Sequence, residues 1–218
     1  YIDATIEETK QSFRQFVGKM ENLTGNSRVL LMVGNELTLD SKGWSNATDY
    51  EGRTRDFEPR RKDQDKLNEL LRSLLDFVPR DFAGKTTYAR GAWERVDWKG
   101  LNLDMVGSNE YWWVSDYPEQ YTRRLGQLKA YAKPTYVTEF GVDTYEGALT
   151  QEEGRYSQEA QAEYTGHYLR MFSIVNIDGF FWYYFTDARA DPIKTSRLME
   201  GNRRKAAFYA YQSFVVAA

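Results

Sequence analysis

Short runs of β-forming residues alternate with helical stretches along this chain of 218 residues, and that alternation leaves few architectures open. Val29-Leu30-Leu31-Met32-Val33, within residues 28–34, is apolar on both faces, as a parallel strand covered by helices on both sides requires. Further strands are expected at 85–89, 103–108, 134–138 and, dense with aromatics, 179–185. Between them lie helical patterns. Residues 1–24 space Ile6, Phe13, Phe16, Val17 and Met20 at three and four, and residues 62–78 line one face with Leu67, Leu70, Leu71, Leu74, Leu75 and Val78. Residues 117–132 and 152–174 read as two more helices, 205–216 as a closing one, and the polar stretch 41–60 as a long loop. Strand and helix repeat at about 30 to 45 residues per unit, the mark of parallel βα construction. A complete (β/α)₈ barrel has eight such strands in about 250 residues, and only five are found here. The expected fold is therefore α/β, of the TIM-barrel type, as a partial barrel forming one domain over 1–218.

Composition removes several kinds of chemistry. The chain carries 29 Lys+Arg against 32 Asp+Glu, a net charge of −3, which disfavours nucleic acid or an anionic membrane as the main partner. No run approaches the roughly 18 to 20 apolar residues of a membrane span. With no Cys there is no thiol nucleophile or thiolate metal site, and a single His, His167, excludes a multi-histidine zinc centre. No metal or cofactor is expected. Catalysis falls to carboxylates, Tyr, Lys or Arg. Tyr1-Ile2-Asp3-Ala4-Thr5 is neither a signal peptide nor a natural start and reads as a chain already under way; the cytoplasm is favoured on the lack of a signal segment.

In parallel βα folds, function gathers at the carboxyl ends of strands. Gly34-Asn35-Glu36 follows the first strand, Asn109-Glu110-Tyr111-Trp112-Trp113 ends the third, and Glu139-Phe140-Gly141 ends the fourth. Trp182-Tyr183-Tyr184 lies in the fifth, with Asp187 just beyond. Two glutamates on different strands, Glu36 and Glu139, thus reach the same rim. Two rigidly held carboxyl groups facing each other across a sugar are what glycoside hydrolysis needs: one protonates the departing oxygen while the other attacks the anomeric carbon. A separation of about 5 to 5.5 Å is expected for the retaining reaction. Rim aromatics suit this, because sugar rings present C–H faces that pack on Trp and Tyr. Solvated glutamates at strand ends are the plain alternative.

Val33-Gly34-Asn35-Glu36 resembles the Asn-Glu motif ending strand 4 in clan GH-A, the 4/7 superfamily of retaining (β/α)₈ glycosidases. Thr138-Glu139-Phe140-Gly141 is similar to that clan's nucleophile motif at strand 7, and Gly179 to Trp182 with Asp187 to its strand 8 segment. The resemblance spans the chain but covers strands 4 to 8 only. It implies Glu36 as general acid/base, Glu139 as nucleophile, Asn35 bound to the sugar 2-hydroxyl, Tyr111 orienting the nucleophile and Trp182 flooring the subsite. It also implies an Arg near strand 2, a strand not found here. A second likeness, carried by residues 88–98 and 139–148, is to a little-characterised branch sometimes labelled abortive infection proteins. The substrate implied is an oligo- or polysaccharide; the alternative is a non-catalytic carbohydrate-binding or phage-defence barrel.

Other rim residues have weaker claims. Trp93 and Glu94 either contact substrate or cap the barrel, and Asn109 joins the substrate-binding set. Glu110 is a rival acid that reads better as salt-bridged or solvated, and Asp187 binds hydroxyls or pairs with Arg189. His167 sits mid-helix and reads as structural or exposed. Five parallel strands leave open edges, so a companion chain, a symmetric partner or the chain's own helices are expected to complete the sheet.

Overall fold

The computed structural model describes residues 2–20, 25–37, 57–91, 94–111, 118–142, 144, 157–183, 197–200 and 202–217. They form two compact units, Tyr1–Ser108 and Asn109–Ala218. Five strands, parallel wherever they pair within a unit, alternate with helices in an α/β fold.

In the first unit the elements are α1 (Ile2–Gly18), β1 (Leu30–Asn35), α2 (Phe57–Leu75), β2 (Lys85–Arg90) and β3 (Val106–Asn109), whose last residue falls in the second unit. β1 pairs with β2 from Leu30 opposite Lys85 to Met32 opposite Thr87, and the register then shifts before Asn35 meets Ala89. β2 continues onto β3 with Ala89 opposite Gly107. Leu31 and Val33 are buried on alternate positions of β1, as are Leu67, Leu70, Leu71 and Leu74 along α2, which packs on that strand. Met32, between them, is 37% exposed.

Helix α2 starts within the stretch expected to be a loop, because Pro59 occupies its first turn, where a missing N–H costs nothing. It ends at Leu75, short of the expected 78. Phe77 and Val78 tighten into bonds to the carbonyls of Leu74 and Leu75, and Pro79 prevents continuation. β3 begins later than 103 because Asp104 turns back onto β2. Its carboxylate accepts the Thr86 N–H at 2.8 Å and the Thr86 hydroxyl at 2.9 Å, while the Asp104 N–H returns to the Thr86 carbonyl at 3.1 Å. Burial works against ionisation of Asp104, but those bonds and the Lys85 ammonium outweigh it and hold the carboxyl below its ordinary value.

The second unit contains α3 (Pro118–Lys129), β4 (Thr135–Phe140), α4 (Gln158–Val175), β5 (Gly179–Trp182), the short antiparallel pair β6 (Met199–Glu200) and β7 (Arg203–Arg204), and α5 (Ala206–Ala217). β4 and β5 run parallel, Tyr136 opposite Gly179 and Phe140 opposite Trp182. A side chain at Gly179 would place its Cβ 2.4 Å from the Tyr136 ring, so glycine is needed for that approach. The core is aromatic. The Phe140 ring lies 5.0 Å from Phe172 and from Trp182, 5.2 Å from Tyr168 and 5.9 Å from Phe180, and Phe180 meets Tyr211 and Phe214 of α5. Helix α4 is closed at both ends: the Ser157 hydroxyl accepts the Ala160 N–H, and Asn176 takes the left-handed conformation (φ 61°) and bonds back to Phe172 and Ser173. Tyr184 and Phe185, expected in the fifth strand, lie outside the described residues, as do 152–156 and most of 41–60. Among the described residues no helix is long and apolar enough to cross a membrane.

Candidate active site

The end of β1 carries the first glutamate. Gly34 has φ 145°, in a region that favours glycine, and a Cβ there would meet Leu37 Cδ1 at 2.8 Å. Asn35 is exposed, and Glu36 is half-buried with φ 44°, a left-handed backbone that is uncommon for a non-glycine residue. Two bonds hold it. The Glu36 N–H donates to the Ala89 carbonyl at 2.9 Å, and the Leu37 N–H donates to the Tyr88 hydroxyl at 2.8 Å. Tyr88 is fully buried and donates to Glu94 Oε2 at 2.8 Å, which also accepts the Gly91 N–H at 2.9 Å. Burial, then the Glu94 charge, pushes the Tyr88 phenol far above its ordinary value, so it stays protonated and donating. A strained backbone at a strand end, fixed by a buried Tyr–Glu pair, is the kind of geometry that functional sites retain.

The second glutamate sits at the end of β4. Glu139 is half-buried, and Tyr111 donates its hydroxyl to Glu139 Oε2 at 3.1 Å. One residue earlier, the Glu110 N–H donates to the Glu139 carbonyl at 2.8 Å. The Glu110 side chain points away from solvent, with 0% exposure, and accepts Arg124 Nε at 2.8 Å. Arg124 Nη2 reaches the Tyr111 carbonyl at 3.0 Å, and the Tyr121 hydroxyl reaches the Glu110 carbonyl at 3.0 Å. The Tyr183 ring meets Tyr111 edge-on at 6.1 Å, and its N–H donates to the Phe140 carbonyl at 2.8 Å.

The residues expected at the rim divide accordingly. Tyr111 and Glu139 are brought together, and Asn35 and Glu36 end one strand. Glu110 is salt-bridged, as its setting suggested. Asn109 is 1% exposed, and its Oδ1 accepts the Thr138 hydroxyl at 2.7 Å. Trp182 packs on Phe140 and Tyr211, while its neighbour Tyr183 is the ring beside Tyr111. Glu94 is 1% exposed and bonded to Tyr88, which accounts for it without substrate. His167 lies on α4 beside the Tyr164 ring. Trp93 and Asp187 lie outside the described residues. On sequence alone Tyr88 and Arg124 have no role in the site, and Tyr183 is named at the rim without one. Strand alternation could have flagged Tyr183, since it places residue 183 on the face opposite Trp182; nothing in the local sequence marks Arg124. No cluster of metal-ligating residues occurs among the described residues.

The structure is similar to solved glycosidases. A GH113 beta-1,4-mannanase aligns over 100% of this chain and 64% of its own, with a TM-score of 0.62 at 18% identity. A Bifidobacterium dentium beta-glucuronidase complexed with coumarin-3-O-glucuronide aligns over 96% of this chain and 33% of its own, with a TM-score of 0.64 at 18% identity. A Faecalibacterium prausnitzii beta-glucuronidase gives 0.58 at 19% identity, over 98% and 35%. The fold is that of the TIM-barrel glycosidases. This chain spans less than two thirds of each. No family model matches and no curated protein matches, so the abortive-infection likeness draws no support from these comparisons.

Proposed function

We propose that the chain is the catalytic part of a retaining glycoside hydrolase of the clan GH-A type, cleaving a glycosidic bond of an oligo- or polysaccharide by double displacement. The observation that carries this reading is the Tyr111 hydroxyl on Glu139 Oε2 at a strand end of a glycosidase-like fold. In the proposed chemistry Glu139 attacks the anomeric carbon as a carboxylate. The Tyr111 hydroxyl steers the lone pair of one oxygen, leaving the other for attack. Glu36 protonates the departing oxygen, then takes a proton from the water that releases the glycosyl-enzyme. Its half-buried setting suits a carboxyl that must hold a proton near neutral pH. Asn35 would bond the 2-hydroxyl, Trp93, Trp182 and Asp187 would complete the sugar contacts, and Tyr183 joins them as an aromatic wall. The buried Asn109 would support the strand end through Thr138 instead of touching the sugar. A companion segment or second copy completing the sheet is part of the proposal.

The test is hydrolysis of a panel of 4-nitrophenyl glycosides, including β-mannoside and β-glucuronide, with Glu36→Gln and Glu139→Gln as controls. The reading requires turnover of at least one glycoside and its loss, by about a thousandfold or more, in Glu139→Gln. A purified chain that binds oligosaccharide but turns over nothing would instead favour a non-catalytic carbohydrate-binding barrel.

A further inference from the structure

We propose that Arg124 is a positioning residue that sets the hydrogen bond between Tyr111 and Glu139, an inference resting on the assignment of Glu139 as nucleophile. Glu110 and Tyr111 are consecutive and point to opposite sides. Glu110 reaches the guanidinium on α3, and Tyr111 reaches the nucleophile. The planar fork of Arg124 grips both residues at once, Nε on the Glu110 carboxylate at 2.8 Å and Nη2 on the Tyr111 carbonyl at 3.0 Å. Arg124 is itself stacked over the Tyr121 ring, 5.0 Å from its centroid, and the Tyr121 hydroxyl holds the Glu110 carbonyl. With the Glu110 N–H on the Glu139 carbonyl at 2.8 Å, the backbone through 110 and 111 is held at the Glu110 N–H, the Glu110 carbonyl and the Tyr111 carbonyl, the first of these by the strand that bears Glu139. Tyr111 keeps only its side-chain torsions.

Stability alone does not explain this arrangement. A carboxylate with 0% exposure beside a guanidinium 23% exposed gains little over an apolar pair of equal volume, because desolvation cancels most of the attraction. What the pair does supply is placement, and misplacing a group by about 1 Å at a reacting centre costs on the order of a hundredfold in rate. A lysine would keep the charge but cannot span both acceptors.

The test follows the ¹³C-carboxyl titration of Glu139 in the full 218-residue chain without substrate, in Tyr111→Phe, Arg124→Met, Arg124→Lys and the double variant Arg124→Met/Tyr111→Phe. Losing the tyrosine hydroxyl should raise the proton affinity of Glu139 on the order of tenfold, since a hydrogen bond to the charged form favours it. Arg124→Met should raise it comparably, Arg124→Lys by most of that amount, and the double variant no further than Tyr111→Phe alone. If Arg124→Met shifts Glu139 equally with or without the Tyr111 hydroxyl, Arg124 acts only as a distant charge and the proposal falls. It also falls if Arg124→Met lowers the melting temperature while leaving the titration unmoved. Should Arg124→Met not fold, Arg124→Lys and Glu110→Gln carry the same comparison. Because the readout needs no turnover, a chain inactive on every glycoside would overturn the glycosidase reading while leaving this coupling measurable.

Discussion

At the scale of single residues, the site depends on a few buried polar atoms that have no substitute. The Tyr88 hydroxyl is one, donating to Glu94 while accepting from Leu37. Tyr88→Phe would leave the part-buried Leu37 N–H without this acceptor and Glu94 Oε2 with the Gly91 N–H but one donor fewer, at a cost of roughly 1 to 3 kcal/mol in all before relaxation. Urea melts should show that loss, and under the proposed function hydrolysis should fall beyond it, because the Leu37 N–H anchors the left-handed backbone at Glu36. Asp104 gives a pH signature. Its depressed folded value means that its contribution is fully present above the unfolded value near pH 4 and is lost as pH falls through the folded one. Asp104→Ala should therefore cost on the order of 1 kcal/mol at pH 7, discounted for its partial exposure. The gap from wild type should narrow as pH falls below the unfolded value and through the lower folded one. A gap that acid leaves unchanged would mean that packing, not charge, holds Thr86.

At the scale of elements, caps and close packing decide where helices and strands stop. Ser157→Ala should cost about 1 kcal/mol in the stability of the second unit, read by thermal melting, since the Ala160 N–H loses its acceptor. Runs of β-forming residues mark the five strands of the main sheet and apolar stripes mark the helices, although the cover on both faces expected of β1 is not complete, Met32 being 37% exposed. The boundaries are less legible. Pro59 reads as a loop signal yet serves in a first helical turn, and Leu103 reads as strand until Asp104 turns the chain onto Thr86. The β6 and β7 pair has two residues in each strand, too few to leave a period. Within the candidate site, Glu36, Glu139 and Tyr111 are legible from strand ends and motif. Arg124 is not, because its partners come from residues 110 and 111, a long-range pairing that no local pattern announces.

At the scale of the whole molecule, each unit leaves apolar strand surface uncovered, Met32 at 37% exposure on β1 and Phe181 at 47% on β5. Among the described residues each of those strands is paired on one side only. Such edges invite pairing. Light scattering on the purified chain should accordingly give a mass above 25.5 kDa, and a stable monomer would show that the edges tolerate water. The assignment of roles to Glu36 and Glu139 is tested most directly by rescue with azide on an activated aryl glycoside. Glu139→Ala should be reactivated with a glycosyl azide of inverted anomeric configuration, the azide attacking where the missing carboxylate would have. Glu36→Ala should yield the azide of retained configuration, formed from the glycosyl-enzyme. The same configuration from both variants, or no rescue of either, would contradict a double displacement run by these two glutamates.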